Sequence, residues 1–176
     1  MKKLILLFLI SMFFTGCEKK VSPEEKEWKE KVKMGDFYFA NKNIDMALKF
    51  WTESLEFKKE PLTYEKIVTS YIIKNEFNEA KKYALSGLTY FQNNDNLLFN
   101  LGLTHFYLGE YESALRVLNG LMERNEYYPD AHYLKGLVYE KKGDYLKAKE
   151  EFIKEININP GSKRAWKKIK EMKNEK

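Results

Sequence analysis

Few side chains in this sequence of 176 residues could carry out a chemical reaction. The reactive groups are one cysteine, Cys17, and two histidines, His105 and His132. Neither histidine has a cysteine partner, and the chain contains no phosphate-binding glycine loop and no nucleophile motif. Both histidines replace large packing residues of a repeated pattern, so we assign them a structural role. The sequence therefore predicts a protein that is not an enzyme and that holds no metal and no cofactor.

Cys17 ends a segment that has the pattern of an export signal. Lys2 and Lys3 precede an apolar run over residues 4–14, and this run is shorter than the roughly 20 residues that span a bilayer. The Thr-Gly-Cys sequence that follows resembles the lipobox of bacterial lipoproteins. The remaining alternative is a plain secretory signal with an incidental cysteine.

The lipobox resemblance implies both a processing site and a location. In bacterial lipoproteins, lipid is attached to the cysteine sulfur, the chain is cleaved before that residue, and the new amino terminus is acylated, for example with palmitate. Residues 1–16 are then the signal peptide, and residues 17–22 are the lipidated Cys17 and a short tether. We expect the chain to be anchored to the bacterial cell membrane or the outer membrane, on its extracytoplasmic or periplasmic side.

The remainder of the chain follows a period of 34 residues. Gly102 is repeated at Gly136, and Gly109 is repeated at Gly143. A fixed step of this length, carrying glycines, tyrosines and alanines, is typical of stacked helix–turn–helix units. Extending the phase in both directions predicts four units, at about residues 28–60, 61–94, 95–128 and 129–162.

The four units resemble the tetratricopeptide repeat family. The resemblance implies an all-α, right-handed superhelical solenoid over residues 23–162. Small residues at fixed positions leave room for the two helices of each unit to cross closely. The structural repeat positions that carry the resemblance are Gly35, Ala47, Ala80, Gly102, Ala114, Gly136, Ala148 and Pro160.

Both ends of the array can be located in the sequence. Ser22 followed by Pro-Glu-Glu has the pattern of a capping box with a proline in the first helical position, so the first helix should begin near Pro23. Residues 163–176 form one further predicted helix, a basic cap with a stripe of apolar residues at helical spacing. The residues of this stripe are Ala165, Trp166, Ile169 and Met172.

The basic residues of the chain are concentrated in this cap. Residues 163–176 hold seven basic and two acidic side chains, whereas residues 17–162 hold 22 basic and 24 acidic ones. Three interpretations of the lysine-rich helix remain open: a solubilising cap, a contact for anionic lipid headgroups, and a contact for nucleic acid. Because export argues against the third, we predict that the protein has no nucleic-acid partner.

The resemblance also implies a binding surface. In tetratricopeptide arrays the first helix of each unit lines a concave groove. By repeat phase, the predicted partner-binding residues are Phe39, Glu65, Thr69, Ile72, Phe99, Leu103, Phe106, Tyr133 and Leu137. Most of these side chains are large and apolar, which is typical of an interaction site when they face solvent.

One known ligand class does not fit this groove. Some arrays of the family hold a peptide's terminal carboxylates with lysine, asparagine and arginine side chains. The corresponding positions here are Val32, Asp36, Asn96 and Asn100, so that clamp is missing. An apolar or aromatic-bearing peptide, strand or helix is the better match.

These observations predict a membrane-anchored, extracytoplasmic scaffold or adaptor that binds protein or peptide partners in its groove. Lipoproteins with similar repeats support the assembly of envelope complexes, and we expect a role of that kind. The alternative is a self-associating structural lipoprotein whose aromatic face is a homodimer interface.

Overall fold

The computed structural model describes residues 22–174. The predicted signal peptide, Cys17 and most of the tether lie outside the described residues, as do the last two residues of the cap. Within the part that is described, none of the helices combines the length and the apolar character that crossing a membrane requires.

Nine helices make up the described chain, and they are named here in chain order. They are α1 (Pro23–Ala40), α2 (Ile44–Phe57), α3 (Pro61–Ile73), α4 (Phe77–Tyr90), α5 (Asp95–Tyr107), α6 (Tyr111–Arg124), α7 (Ala131–Lys141), α8 (Tyr145–Ile158) and α9 (Lys163–Asn174). Each odd-numbered helix from α1 to α7 packs mainly on the even-numbered helix that follows it. The first helices also contact one another from pair to pair, from α3 to α5 and from α5 to α7. The pairs therefore stack in sequence order.

The start of α1 agrees with the sequence pattern. Ser22 Oγ accepts a hydrogen bond of 3.1 Å from the backbone N–H of Glu25, and Pro23 occupies the first turn. The Glu25 carboxylate contacts Lys29 Nζ at 2.8 Å, one turn further along the helix. The predicted start at Pro23 is thus confirmed.

The turn inside each pair has the same backbone conformation in all four cases. Lys42, Asn75, Gly109 and Gly143 have positive φ angles of 61°, 59°, 75° and 80°. The N–H of the next residue donates to a carbonyl five positions back, at 2.9 Å in every pair. Glycine and asparagine suit this left-handed region, whereas a lysine there is uncommon. The same turn is therefore built four times, although only two of the four residues are glycines.

Close contact between the two helices of a pair depends on small residues. A Cβ added to Gly35 would overlap the Trp51 ring, and one added to Gly136 would overlap the Phe152 ring. At Gly102 the added atom would lie 3.0 Å from the Leu118 side chain. On the second helices, full burial is found at four alanines: Ala47, Ala80, Ala114 and Ala148. Pro160 lies exposed, just after the end of α8.

The cap helix α9 closes the C-terminal end of the core, but not with every predicted residue. Ala165 and Ile169 are buried, and Met172 packs on the cluster that contains Phe152. Trp166 is 53% exposed, so the prediction that it belongs to the buried stripe is wrong. Buried positions four and three residues apart form one line along the helix, and Trp166 lies beside this line rather than on it.

Two glycine substitutions test the helix-crossing constraint. Gly136→Ala should destabilise the fold by about 1–3 kcal/mol, because the new methyl group meets the Phe152 ring in a filled core. Gly120→Ala is the matched control, since it is also helical but has no atom within 4 Å of an added Cβ. The control should gain up to about 1 kcal/mol from helix propensity. Urea unfolding of both variants provides the measurement, and a Gly136→Ala variant as stable as the control would contradict the constraint.

Candidate protein-binding groove

The predicted groove residues lie on the first helices of the four pairs, α1, α3, α5 and α7. None of the nine is buried: Phe39 and Thr69 are exposed, and the other seven are partly exposed. Their neighbours Ile73 and Tyr107, at the last positions of α3 and α5, are 52% and 50% exposed. The face formed by the first helices therefore presents apolar surface to solvent along the array.

A pocket of about 470 Å³ lies in this groove between α1 and α3. Three predicted residues, Phe39, Glu65 and Thr69, contribute to its lining. The rest of the lining consists of Asp36, Trp51, Leu62 and Lys66. The exposed Leu62 was not among the predicted site residues, although it stands 34 residues before Asn96, a position where the family's ligand contacts occur.

Trp51 forms the floor of the pocket, and its orientation is fixed. Its Nε1 donates a hydrogen bond of 3.0 Å to Asp36 Oδ1, and the Phe39 ring lies 5.5 Å from the Trp51 ring. Lys66 Nζ contacts the same Asp36 oxygen at 2.6 Å. Asp36 is therefore paired with Lys66 and hydrogen-bonded to the indole, so its charge is already neutralised. The surface that the pocket offers to a ligand is mainly its apolar walls.

Glu65 is engaged by the next repeat rather than left available to a ligand. Its two carboxylate oxygens accept hydrogen bonds from Asn94 Nδ2 at 2.8 Å and from Asn96 Nδ2 at 2.9 Å. Asn96 Oδ1 in turn accepts from the Tyr128 hydroxyl at 2.8 Å, and the Tyr128 ring packs 5.2 Å from Phe99. Burial and the nearby carboxylates raise the pKa of Tyr128 to about 12. Glu65 therefore joins repeats two and three across the groove floor.

The cap helix covers part of the C-terminal end of the groove. Tyr133 and Leu137 pack against the cluster that contains Phe152 and Ile169. The Arg164 guanidinium lies 5.0 Å from the centre of the Tyr133 ring. Part of the surface of Tyr133 and Leu137 is thus covered by internal packing. The part of the groove that a partner can reach is therefore mainly in the first three repeats.

A second cavity, of about 690 Å³, lies outside the groove near the ends of α6, α7 and α8. His132 and Lys135 line it, and both contact the buried carboxylate of Glu151. His105, the other histidine, has its Nδ1 2.5 Å from Glu110 Oε2. Both histidines thus pair with a glutamate. Within residues 22–174, no three histidine, cysteine or carboxylate side chains are grouped as a metal site requires.

Glu151 is held as a carboxylate by three cationic or proton-donating partners. His132 Nδ1 lies 2.6 Å from one oxygen, and Lys154 Nζ and Lys135 Nζ lie 3.0 and 3.3 Å from the other. Burial alone raises the pKa of Glu151, but the hydrogen bonds from His132 and Lys154 and the charge of Lys135 outweigh it. The resulting pKa is about 2.

Glu155, one helical turn later, has the opposite environment. The side chain is 1% exposed, and one oxygen accepts a long hydrogen bond of 3.4 Å from the Tyr133 N–H, in the first turn of α7. The other oxygen has no hydrogen-bond partner. Asp130, at the N-cap of α7, makes no capping bond and instead pairs with Arg164 at 2.7 Å. Burial, with the nearby Asp130 charge, raises the pKa of Glu155.

Comparison with known proteins identifies the class of this protein. Residues 129–162 match the family model described as tetratricopeptide repeat. The match covers the α7–α8 pair, and the other three pairs repeat the same turn and the same helix order. Residues 129–162 are therefore a tetratricopeptide repeat, and the described chain has the fold of a tetratricopeptide repeat solenoid, which is a scaffold for protein–protein interaction.

Solved structures of similar proteins agree with this assignment. A MamA crystal structure is 27% identical, with a TM-score of 0.71 over 77% of this chain and 80% of that one. PilF of Pseudomonas aeruginosa is 18% identical and has the same fold, with a TM-score of 0.72 over 84% of this chain and 68% of that one. These likenesses confirm the predicted fold class, an all-α solenoid of tetratricopeptide repeats.

A curated relative is much longer than this chain. The anaphase-promoting complex subunit CDC16 of Saccharomyces cerevisiae is 25% identical over an alignment of 143 positions, and the alignment covers 77% of this chain. The chain spans only 17% of the length of that yeast protein. The likeness therefore concerns the repeat array and not the whole yeast subunit.

The two glutamates of α8 should affect stability in opposite directions as the pH changes. The lowered pKa of Glu151 means that its stabilising contribution is present above its ordinary value of 4.5 and is lost as the pH falls towards about 2. The raised pKa of Glu155 means that its charge weakens the fold as the pH rises above 4.5. Relative to wild type, Glu151→Gln should therefore become less stable from acid to neutral pH, by about 1–3 kcal/mol.

Glu155→Gln is the matched variant, with the same substitution one turn away. Its stability relative to wild type should improve over the same rise in pH. Urea unfolding at a series of pH values measures both differences. If the two variants showed the same pH trend, the assigned environments of the two carboxylates would be incorrect.

Proposed function

We propose that this chain is a membrane-anchored, extracytoplasmic scaffold that binds protein partners in its concave groove and supports the assembly of envelope complexes. The observation that carries the proposal is the pocket between α1 and α3, where Phe39 and Leu62 form apolar walls above a Trp51 floor and the pocket is open to solvent. The lipobox-like sequence at Cys17 supports the location.

The chemistry of the pocket favours one kind of partner. An apolar space of about 470 Å³ accommodates a large aliphatic or aromatic side chain from a peptide or a helix. Burying one such anchor contributes roughly 1.5–3 kcal/mol, so two or three anchors along the groove would support micromolar binding. The Asp36 carboxylate is paired with Lys66, which makes the pocket unsuited to holding a free carboxylate group.

The tether supports a position near the membrane. Since α1 begins at Pro23 and is capped by Ser22, the tether from Cys17 onward has only five residues, 17–21. Five extended residues span at most roughly 17 Å. A lipidated Cys17 would then hold the array close to the bilayer, within reach of other membrane-bound proteins.

Self-association is the second candidate function. Apolar side chains with at least half of their surface exposed, Phe37 at 58% among them, would be covered in a homodimer. The two candidates differ in oligomeric state, and sedimentation over a range of protein concentrations separates them. If the protein is monomeric at every concentration and a partner is still crosslinked to it, the result supports the scaffold. A dimer formed through these residues supports self-association.

Charge placed in the pocket should abolish partner binding. Combining Phe39→Asp with Leu62→Asp puts two carboxylates against the apolar walls, and we expect recovery of crosslinked partners to fall at least about tenfold. Leu146→Asp is the control, because Leu146 is 79% exposed on α8, outside the groove. Circular dichroism of both proteins checks the fold. Equal partner recovery by the two variants would exclude the groove as the binding site.

Removing the cysteine should abolish lipid attachment and the processing that accompanies it. Cys17→Ser takes away the sulfur to which lipid would be attached, so we expect an unprocessed or soluble chain in fractionated cells. The control is a conservative change in the repeats, such as Lys33→Arg, which should leave the distribution unchanged. Membrane attachment and normal processing of Cys17→Ser would contradict the lipid anchor while leaving the groove proposal intact.

A further inference from the structure

The outward face of the cap helix α9 carries a surface that the groove does not explain. Lys163, Trp166, Lys167 and Lys170 are all exposed, and their spacing of three, four and seven residues places them on one side of the helix. Ala165 and Ile169, on the opposite side, are buried against the array. The helix is thus amphipathic, with a basic outer face that has an aromatic residue at its centre.

The cations of α9 fall into two groups. Arg164 and Lys168 are bonded to the array, Arg164 to Asp130 at 2.7 Å and Lys168 to Glu140 at 2.8 Å. Lys167, on the outer face, has only a loose contact of 3.7 Å with Glu171. For Lys163 and Lys170, no carboxylate within residues 22–172 lies at salt-bridge distance. The outer lysines are therefore not what attaches the cap to the array.

Lysines elsewhere in the protein are often neutralised between repeats. Examples are Lys74 with Asp45 at 2.7 Å, Lys81 with Glu110 at 2.7 Å and Lys142 with Glu112 at 2.7 Å. Residues 17–162 carry two more acidic than basic side chains, whereas residues 163–176 carry five more basic than acidic ones. The molecule is therefore polarised, with its uncompensated positive charge on the cap.

The exposed Trp166 indicates that this face does more than keep the protein soluble. The side chain is 53% exposed, and its Nε1 donates a hydrogen bond of 2.9 Å to the Pro160 carbonyl. This bond fixes the indole while much of the ring remains in solvent among the lysines. A cap needs no exposed tryptophan for solubility, whereas tryptophan is favoured at the boundary between lipid headgroups and acyl chains.

We propose that the outer face of α9 binds an anionic phospholipid surface, with Lys163, Lys167 and Lys170 at the headgroup phosphates and Trp166 at the interface. The charge complementarity and the fixed, exposed indole favour a lipid surface over an acidic protein segment. This contact is separate from the groove and does not depend on lipidation of Cys17. Together with the lipid anchor proposed at Cys17, this contact would hold the array to the membrane at two points and so orient it.

The test uses the full chain and compares its partition onto two kinds of vesicle. One kind contains phosphatidylglycerol mixed with phosphatidylcholine, and the other contains phosphatidylcholine alone. The readout is the ratio of the two partition coefficients, in which the contribution of the apolar residues 4–14 cancels. We expect the ratio for wild type to be well above one, because each lysine near an anionic surface strengthens binding about fivefold.

Two triple variants are compared, and each removes three lysine charges: one set lies on the outer face of α9 and the other on the repeats. The triple substitution Lys163→Ala, Lys167→Ala and Lys170→Ala should lower the ratio about 100-fold. The matched control removes three exposed lysines of the repeats, by Lys33→Ala, Lys49→Ala and Lys149→Ala, and should lower the ratio by less than about fivefold. Trp166→Ala should lower the ratio several-fold, since the indole reaches the interface only when the lysines hold α9 there. Unchanged thermal unfolding confirms that each variant is folded.

Three outcomes would overturn the proposal. A wild-type ratio near one would show that the face does not bind anionic lipid. An equal loss in both triple variants would show that only the net charge matters. If wild type had a ratio near one but bound polyglutamate, and the cap variant did not, the face would be a site for acidic protein segments instead.

Discussion

The close crossing of two helices within each repeat is the constraint on which the rest of this structure depends. Gly35, Gly102 and Gly136 allow a large side chain of the second helix to lie against the backbone of the first. That contact sets the distance and angle within the pair, and the pair sets how the next repeat can stack on it. The stacking then brings the first helices side by side, and their shared face becomes the groove.

Polar contacts between consecutive repeats determine what the groove can offer a partner. Asp36, Glu65 and Glu140 each lie on a first helix, and each is bonded to a side chain about 30 residues away. Exposed ion pairs of this kind contribute little stability one by one. Their effect is on chemistry: the carboxylates that line the groove are already satisfied, so the surface left for a ligand is mainly apolar. Helix α9 differs in this respect, because the lysines on its outer face have no close ion pair with the described array.

The sequence was sufficient for the fold because its period coincides with the physical requirements of the turns and crossings. Gly109 and Gly143 mark the left-handed turns directly, whereas Lys42 and Asn75 adopt the same conformation without the glycine that would reveal it. Phase also placed the groove residues on the first helices. The repeat phase could not show that both carboxylate oxygens of Glu65 accept hydrogen bonds from asparagines. It also could not show that Leu62 and Trp51 line a pocket with Phe39. Both features depend on contacts between neighbouring helices that the phase does not describe. Likewise, the burial of Glu155 and the exposure of Trp166 follow from how single helices are rotated in the assembled array.

The proposed function depends on a partner protein that inserts a side chain into the pocket between α1 and α3. Photo-crosslinking in intact cells tests this most directly, with benzoylphenylalanine replacing Leu62 in one strain and Leu146 in another. We expect discrete crosslinked partner species from position 62 and none from position 146. Crosslinks of the same species from both positions, or from position 146 alone, would contradict it.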